Sequence, residues 1–453
     1  MGGAGAMRSK PDQLMSSAAF LTAVNLACAA IGAAQGLAVV RLLGPDAYGA
    51  AAILIALTSV AANLIDVRLT DLVSNLFYSP AATDDADGAA HRAAVLRLGI
   101  ALYAISALCI ALASAGLMLV AAPRLSTASF PADWFWTAAL AQGISYFGSF
   151  FVFIQRFVAS ARRMAVLQVA SALMNAGAMI TLVALHRTVG GYVSGLLLSA
   201  VAIAVVNTAL TVRSIARAGI PLLAPGRTAG IAIDRKVVFQ FIAAGNVLGY
   251  VKLLHRSADV LLVAFFCSDR DTGIYKLARS MTDALYAISE AIGRIYQPRL
   301  LTLLRDGAHA EYRRLARSMT ATAAVVTCVA LAGVFAVVPR MALILGWREM
   351  PGLTLATAVM TLPFFFVAGL QAWIWPAFVS MGRLGRCTLW GVVAVVMGQY
   401  TIGPLLVYAT GTTNPAWFSL GYLSFYVLSL LPLWRELVHD GHTFAWIARE
   451  AAA

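Results

Sequence analysis

Charged side chains recur at helical spacing within an otherwise apolar segment, residues 273–298. The residues that follow one another at steps of three and four are Lys276, Arg279, Asp283, Tyr286, Glu290 and Arg294. Because residues three and four apart share a face of an α-helix, this segment predicts one helix with a single charged face. Its Lys and Arg side chains suit phosphate or pyrophosphate, Lys as a point charge and Arg as a bidentate fork. The carboxylates of Asp283 and Glu290 could pair with these cations in the empty state or sense a coupling cation.

The preceding apolar segment, residues 237–266, contains a second charged set. Lys252, Arg256 and Asp259 follow one another at steps of four and three and therefore share a face. Two cations one helical turn apart repel each other unless an anion lies between them, so Lys252 and Arg256 predict an anion site. The predicted substrate-binding residues are Lys252, Arg256, Lys276 and Arg279, and Asp259 joins the carboxylates that pair with them. A lone His255 is more often a hydrogen-bonded packing residue.

A third set, Asp66, Arg68 and Asp71, falls within the apolar run 48–77. A charge at mid-membrane costs at least about 2.5 kcal/mol, so such residues usually face a wet cavity or one another. We interpret the three as an ion-pair group between helices or as part of the coupling site. For several residues an alternative stays open. Glu290 and Arg294 could extend to the cytoplasmic surface, and Lys276 and Asp71 could lie near opposite surfaces.

The composition indicates that the elements that position these residues lie in lipid. Of the 453 residues, 61% are hydrophobic and only 12% are charged, and the mean hydropathy is +0.82. Soluble domains have roughly 25% charged residues. Apolar runs of about 20 residues, enough to cross a bilayer, recur throughout the sequence. They fall at 17–40, 48–77, 94–121, 133–157, 164–185, 191–212, 237–266, 273–298, 318–338, 353–379, 388–409 and 415–434.

The distribution of Lys and Arg among the loops predicts the orientation. If the N-terminus is cytoplasmic, the inside loops and tails hold 21 of the 33 Lys and Arg residues, and the outside loops hold six. Cytoplasmic loops are the basic ones, so both termini are predicted to be cytoplasmic with an even number of helices. The same loops account for the net charge of +13, and nucleic acid is not an expected partner.

The longest connection, 213–236, divides the chain into two sets of six predicted helices. We expect an all-α polytopic membrane protein of about twelve transmembrane helices, arranged as two pseudo-symmetric six-helix bundles around a central cavity. The predicted parts are a cytoplasmic tail (1–16), the first bundle (17–212), a basic cytoplasmic linker (213–236), the second bundle (237–436) and a C-terminal cytoplasmic tail (437–453). The two halves echo each other, since Gly49 and Gly273 each begin the second helix of their half. Internal repeats of this kind are typical of secondary transporters, with the substrate site between the repeats.

Three segments resemble the polysaccharide biosynthesis proteins of the multidrug/oligosaccharidyl-lipid/polysaccharide (MOP) exporter superfamily. The stretch 39–49, VVRLLGPDAYG, resembles the motif that ends the first helix of these proteins. The stretches SADVLL and TGIYKLA, at 257–262 and 272–278, resemble their second-half motif, and QPRL at 297–300 resembles the ending of their eighth helix. With the six-plus-six layout, the resemblance covers most of the chain. One departure is the absence of charge in 17–40, where the related lipid II flippases have basic residues.

The resemblance implies a Wzx-type flippase in the bacterial inner membrane. Its substrate would be an undecaprenyl-pyrophosphate-linked oligosaccharide, such as an O-antigen or exopolysaccharide repeat unit, moved by alternating access through a cationic central cavity. No cofactor is expected, although transport could be coupled to Na⁺ or H⁺. A polysaccharide polymerase and a chain-length regulator are possible partners.

Two other functions compete with this one. A drug/cation antiporter of the same superfamily would prefer exposed carboxylates to a cationic cavity, so the sign of the cavity charge discriminates between them. A membrane polymerase or ligase would need a sizeable outside loop bearing catalytic residues, and every predicted outside loop is short. No acid–base pair or nucleophile motif suggests an enzyme.

Overall fold

The computed structural model describes residues 11–66, 69–77, 86–158, 161–220, 253–255, 257–344, 351–380 and 384–439. Every regular element in these ranges is helical. The helices are α1 (Pro11–Leu43), α2 (Pro45–Ile65), α3 (Leu69–Phe77), α4 (Ala86–Leu125), α5 (Ala132–Val158), α6 (Ala161–His186), α7 (Val189–Arg217), α8 (Ala258–Phe266), α9 (Asp269–Arg305), α10 (His309–Ile344), α11 (Pro351–Thr361), α12 (Ala372–Ser380), α13 (Leu384–Ala394), α14 (Tyr400–Thr410) and α15 (Pro415–His439). The all-α fold class is therefore confirmed for the described part of the chain.

Ten helical segments of the described chain are long and apolar enough to cross a membrane, judged by length and composition. Helix α9 is longer than most of these ten segments, but it contains too many charged residues to be one of them. This agrees with the charged face predicted for it from the sequence. The predicted span 237–266 and the linker 213–236 lie partly outside the described residues. The protein is thus a multi-pass membrane protein, and the count of twelve spans and the cytoplasmic location of both termini stay predictions.

The prediction of one span across 48–77 is wrong. Helix α2 ends at Ile65, and the backbone of Asp66 is extended (φ −67°, ψ 97°) before α3 begins at Leu69. In a continuous span the charged residues 66, 68 and 71 would lie in the hydrocarbon region, which is costly. Because the helix ends at Ile65, the Asp66 carboxylate can instead reach a hydrogen-bond donor on another helix. The Tyr146 hydroxyl of α5 donates a hydrogen bond of 3.0 Å to Asp66 Oδ1.

The helices pack as two groups. Helices α1–α7, the N-terminal group, pack mainly on one another, and so do α8–α15, the C-terminal group. The groups meet mainly where α1 and α2 contact α9 and where α2 contacts α8. Helix α1 is also tied to α6, because Gln168 Nε2 donates to Asn25 Oδ1 (3.1 Å) and Asn175 Nδ2 donates to Gln35 Oε1 (3.0 Å). The seam between the groups therefore consists of the four helices α1, α2, α8 and α9.

Two helices of the C-terminal group contain wide π-type turns, at Phe365–Gln371 and Val395–Gln399. Wide turns of this kind often mark functional sites. A carbonyl freed in such a turn needs another donor inside lipid, and Thr320 Oγ1 of α10 supplies one to the oxygen of Gly369 at 2.8 Å. At the second turn, a Cβ on Gly398 would lie 2.7 Å from the backbone nitrogen of Phe425 in α15. Glycine there lets the wide turn pack directly against α15.

Candidate functional site

A buried ion pair connects the first turn of α8 to Arg279 of α9. Arg279 Nη1 lies 2.7 Å from Asp259 Oδ2, and these residues are 5% and 1% exposed. Arg279 Nε also lies 3.3 Å from Oδ1 of Asp283, whose side chain is 54% exposed. Tyr275 donates a further hydrogen bond of 3.0 Å to Asp259 Oδ2. Arg279 therefore bridges one buried and one accessible carboxylate.

The position of this pair follows from the helix starts. Helix α9 begins after Ser268, whose hydroxyl accepts from the backbone nitrogen of Asp271 and so caps the helix. Arg279 lies ten residues into α9, or ~15 Å along its axis, a distance equal to half the ~30 Å thickness of a hydrocarbon core. The regular three-and-four spacing then turns Lys276, Arg279, Asp283 and Tyr286 onto one face, as the sequence predicted.

Tyrosines of α15 surround the guanidinium. Arg279 Cζ lies 4.1 Å from the ring centroid of Tyr422, a cation–π distance. The hydroxyls of Tyr422 and Tyr426 are 3.1 Å apart, and Tyr286 of α9 lies edge-on to the ring of Tyr422 and stacked on that of Tyr426. Because a buried guanidinium is costly to desolvate, these rings help to retain its charge without adding a further carboxylate.

His255 extends the cluster toward α14. One ring nitrogen, Nδ1, lies 2.9 Å from Gln399 Oε1, and the other, Nε2, lies 2.8 Å from the Tyr426 hydroxyl. The imidazole is buried and stacks on Tyr422, with the Phe425 ring 3.8 Å away. Gln399 lies at the end of the second wide turn, so that turn is what presents its amide to the histidine. The cluster thus links α8, α9, the second wide turn and α15.

We expect Gln399→Leu to cost more stability than Tyr426→Phe. The first change leaves one nitrogen of the buried His255 facing an alkyl group and also removes the 3.3 Å bond from Gln399 Nε2 to the His255 carbonyl. The second removes the hydroxyl that contacts the other His255 nitrogen and the Tyr422 hydroxyl, but the aromatic ring that packs against the imidazole stays in place. A buried group left unpaired costs about 1–3 kcal/mol. Thermal unfolding of both purified variants would check the order, and equal midpoints would contradict it.

The described part of the cluster contains one guanidinium and two carboxylates, so it is not cationic. Asp259 Oδ2 accepts from both Arg279 and Tyr275, whereas its Oδ1 is buried without a hydrogen-bond partner among the described residues. Lys276, on the same face of α9, is partly buried. An unpartnered buried carboxylate oxygen is a suitable contact for a small cation.

The structure brings together only some of the predicted site residues. Arg279, Asp259 and Asp283 form the cluster, whereas Asp66 lies at the end of α2 and bonds to Tyr146. Lys252, Arg256 and Arg68 lie outside the described residues, as do the side chains of Asp71, Glu290 and Arg294. The anion site predicted from Lys252 and Arg256 therefore stays a prediction.

Sequence reasoning missed the partners contributed by the last helices. Gln399, Tyr422 and Tyr426 lie in apolar runs that look like ordinary spans. The signals available were the single amide within 388–409 and the two tyrosines at i, i+4 in 415–434. Neither signal says that these side chains face His255 and Arg279, because that contact depends on how the helices pack.

At one end of the molecule, which we call the closed end, Gly49 of α2 and Gly273 of α9 pack backbone to backbone. A Cβ on Gly49 would overlap the carbonyl oxygen of Asp269, and a Cβ on Gly273 would lie 2.5 Å from that of Pro45. These are the two glycines that occupy equivalent positions in the sequence repeat. The repeat motif thus forms the contact that brings the two helical groups together at this end.

Asp269 adds a second contact at the closed end. Its Oδ2 accepts hydrogen bonds from Ser126 Oγ (3.0 Å), Thr127 N (3.1 Å) and Thr127 Oγ1 (2.9 Å), all just beyond α4. Asp269 is buried and belongs to the C-terminal group, whereas the donors belong to the N-terminal group. These bonds must break if the groups separate here.

Cys267, in the connection between α8 and α9, should report on opening of the closed end. Burial, with a smaller contribution from Asp271, raises the pKa of its thiol to about 12. Only the thiolate reacts, so maleimide labelling should be slow at pH 8 and still rising at pH 10. Asp269→Ala removes the contact with Ser126 and Thr127. It should expose the thiol, return its pKa toward about 8.5, and raise the labelling rate at pH 8 by about tenfold or more.

The measurement uses a variant in which the other four cysteines are alanine. Asp133→Ala, which removes an exposed carboxylate in the first turn of α5, is the matched control and should leave the rate unchanged. Equal labelling rates for Asp269→Ala and its parent would show that Asp269 does not hold the end closed.

Comparison with known proteins identifies the fold. No protein-family model matches the sequence, and no curated protein matches it. Among solved structures, the lipid II flippase MurJ in an inward closed conformation matches with a TM-score of 0.65 at 12% identity, over 94% of this chain and 87% of that one.

Two structures of a multidrug resistance MATE family transporter of the MOP superfamily also match, each at 13% identity. The inward-facing one has a TM-score of 0.61, with 92% and 93% of the two chains covered. The outward-facing one has a TM-score of 0.54, with 93% and 95% covered. At these identities the likeness is one of fold, and the chain has the fold common to MATE transporters and MurJ.

Proposed function

We propose that the chain is a flippase that moves an undecaprenyl-pyrophosphate-linked oligosaccharide from the cytoplasmic to the periplasmic leaflet of a bacterial inner membrane. The observation on which this rests is the pairing of Arg279 with an accessible carboxylate at the seam between the two helical groups. A fold that includes a lipid II flippase and several transporters is consistent with it. The solved structures that share this fold are transporters and a flippase, which favours transport over catalysis.

The proposed first step is exchange of Asp283 for substrate. The Asp283 carboxylate is exposed and 3.3 Å from Arg279 Nε, a long contact, whereas Asp259 is buried and close. A pyrophosphate offers paired oxygens to the guanidinium fork and would displace Asp283 first. We expect Asp283→Asn to tighten, and Arg279→Gln to weaken, the binding of inorganic pyrophosphate to purified protein. Lys252, Arg256 and Lys276 are proposed as further cationic contacts.

Alternating access would use the closed end as one gate. With Gly49 against Gly273 and Asp269 bonded to Thr127, substrate would enter from the opposite side. The higher TM-score to the inward-facing than to the outward-facing MATE structure supports this assignment. In the orientation predicted from the Lys and Arg distribution, the closed end is periplasmic and entry would be cytoplasmic, where lipid-linked units are assembled.

Coupling to H⁺ or Na⁺ is proposed at Asp259, whose Oδ1 is buried and unpartnered among the described residues. Loading this oxygen would weaken its hold on Arg279, leave the guanidinium free to bind the anion, and so link ion binding to capture of the anion. Asp66, Arg68, Asp71 and Glu290 stay candidates for coupling or ion pairing. A polysaccharide polymerase and a chain-length regulator are proposed partners.

The deciding experiment uses a strain that lacks its own flippase for a surface polysaccharide. Expression of this chain should restore the polymer. The double variant Asp259→Leu/Arg279→Met, which removes the guanidinium without leaving a buried charge unpaired, should reach the membrane and accumulate lipid-linked units on the cytoplasmic leaflet. The assay is run in several such strains, each of which makes a polysaccharide with a different repeat unit. Failure to restore polymer in the source organism's own deletion strain would contradict the proposal.

A drug/cation antiporter is the second candidate. The observation that favours it is that the described cluster contains two carboxylates and only one guanidinium. The similarity in fold to MATE transporters is consistent with it. In that case ethidium efflux from cells should depend on Asp259 and Asp283, and polymer export should not. Efflux that is lost in Asp283→Asn would exclude the pyrophosphate-exchange step, which predicts tighter substrate binding for this variant.

A further inference from the structure

The N-terminal group encloses a cavity of its own, away from the Arg279 cluster. Its volume is about 340 Å³, within the range of small-molecule sites, and helices α2, α5 and α7 form its walls together with Asn175 of α6. A second cavity of about 170 Å³ lies between α5, α6 and α7. Val152 and Ile203 line both, so the two cavities are neighbouring chambers.

The described lining of both chambers is uncharged and combines apolar side chains with amides and hydroxyls. In the larger one, α5 contributes Gln142, Ser145 and Ser149, which share a helix face. In the smaller one, α6 contributes Gln168 and α7 contributes Asn207. Polar residues inside a membrane protein are costly, and here they converge from several helices rather than lying scattered. Such convergence indicates a site rather than incidental packing.

Asn207 gives an independent sign of a missing ligand. It is 1% exposed, and its side-chain Nδ2 has no hydrogen-bond partner among the described residues. Its backbone oxygen accepts from Gln155 Nε2, which also donates to Thr211, so neighbouring amides are satisfied while this one is not. A buried donor left unpaired destabilises the folded protein, and a hydrogen bond to a ligand oxygen would remove that cost.

The lining determines the chemical class of that ligand. An ion would lose its hydration without a counter-charge, and a purely apolar molecule would leave the Asn207 Nδ2 donor unpaired. Amides and hydroxyls both donate and accept, as sugar hydroxyls do. We infer that these chambers receive neutral sugar residues of the transported substrate. This inference rests on the proposed function and assigns the glycan to the N-terminal group, apart from the pyrophosphate at Arg279.

The test places the photoreactive residue p-benzoylphenylalanine in the full-length protein, in cells that make the lipid-linked unit. It replaces Ser145, which lines the larger chamber. The matched control replaces Leu140, five residues earlier on α5, which is 50% exposed and does not line the chamber. A third position, Asp283, samples the space beside Arg279. After illumination, the adducts are identified by mass spectrometry.

A hexose-bearing adduct at position 145 but not at 140 is the expected result. Phospholipid alone at 145, with hexose-bearing lipid captured at 283, would overturn the cavity assignment and leave the flippase intact. No hexose-bearing adduct at either 145 or 283 would contradict the proposed function itself.

A second variant separates ligand binding from packing. Asn207→Leu removes the unpaired donor, so the unfolding midpoint should not fall, whereas transport should drop about tenfold because a hydrogen bond to the substrate is lost. A lower midpoint with unchanged transport would mean that Asn207 has only a structural role.

Discussion

Asp259→Asn is expected to abolish transport and to lower the stability of the folded protein by about 3–5 kcal/mol. The change keeps the size of the side chain but removes the charge that neutralises Arg279 at 2.7 Å. Arg279 would then depend on the exposed Asp283, whose contact is longer and hydrated. Thermal unfolding of the purified variant and polymer export in the deletion strain measure the two effects.

A double change tests whether the charge itself is responsible. Asp259→Leu with Arg279→Met replaces the buried pair by apolar groups, which often restores or raises stability, so the unfolding midpoint should return toward that of the parent. Transport should stay absent, because the anion contact is gone. The control is Arg299→Met, which breaks an exposed pair with Glu311 and should change stability by less than about 1 kcal/mol. If the double variant is as unstable as Asp259→Asn, the loss does not come from an uncompensated charge.

Gly49→Ala is expected to prevent closure of the closed end and to reduce transport to background. The new methyl group would overlap a backbone carbonyl, that of Asp269, which cannot turn aside as a flexible side chain could. Helices α2 and α9 would have to separate, and Asp269 would lose its bonds to Ser126 and Thr127. Labelling of Cys267 should therefore be faster than in the parent, as for Asp269→Ala.

Gly116→Ala on α4 is the matched control, because no atom lies within 4 Å of its added Cβ. Alanine within a helix is favoured over glycine by up to about 1 kcal/mol, so this variant should be as stable as the parent or more so. Normal transport and slow Cys267 labelling in Gly49→Ala would show that the tight contact is not required for the transport cycle.

The sequence predicted the charged face of α9 well, because it depends only on helical period. Arg279, Asp283 and Tyr286 occur at steps of three and four, and the helix is continuous through them. The internal repeat likewise predicted that Gly49 and Gly273 occupy equivalent positions in the two halves of the chain. That the two glycines touch each other depends on how the repeats assemble, which local spacing does not encode.

Three features could not be predicted from period or hydropathy. The break after Ile65 depends on where Asp66 finds the Tyr146 hydroxyl, a contact made between residues 80 positions apart. The charge balance of the cluster depends on which carboxylates face Arg279. An apolar run such as 388–409 also gives no sign of a wide turn, because one extra residue per turn leaves the composition unchanged.

Because of the wide turn at Val395–Gln399, the packing of this segment depends on the number of its residues and not only on their identity. Substitutions, which keep that number unchanged, would not reveal this dependence. Removing any one of its five codons would let the segment relax to regular α-helical winding. Everything after it would then be rotated by about 100° relative to α13, the angle that one residue contributes. Gln399 would lose His255 and α14 would present a different side to α15, although no contacting residue had been altered. Single-codon deletions here should therefore be rejected in a genetic selection that tolerates many point changes at the same positions.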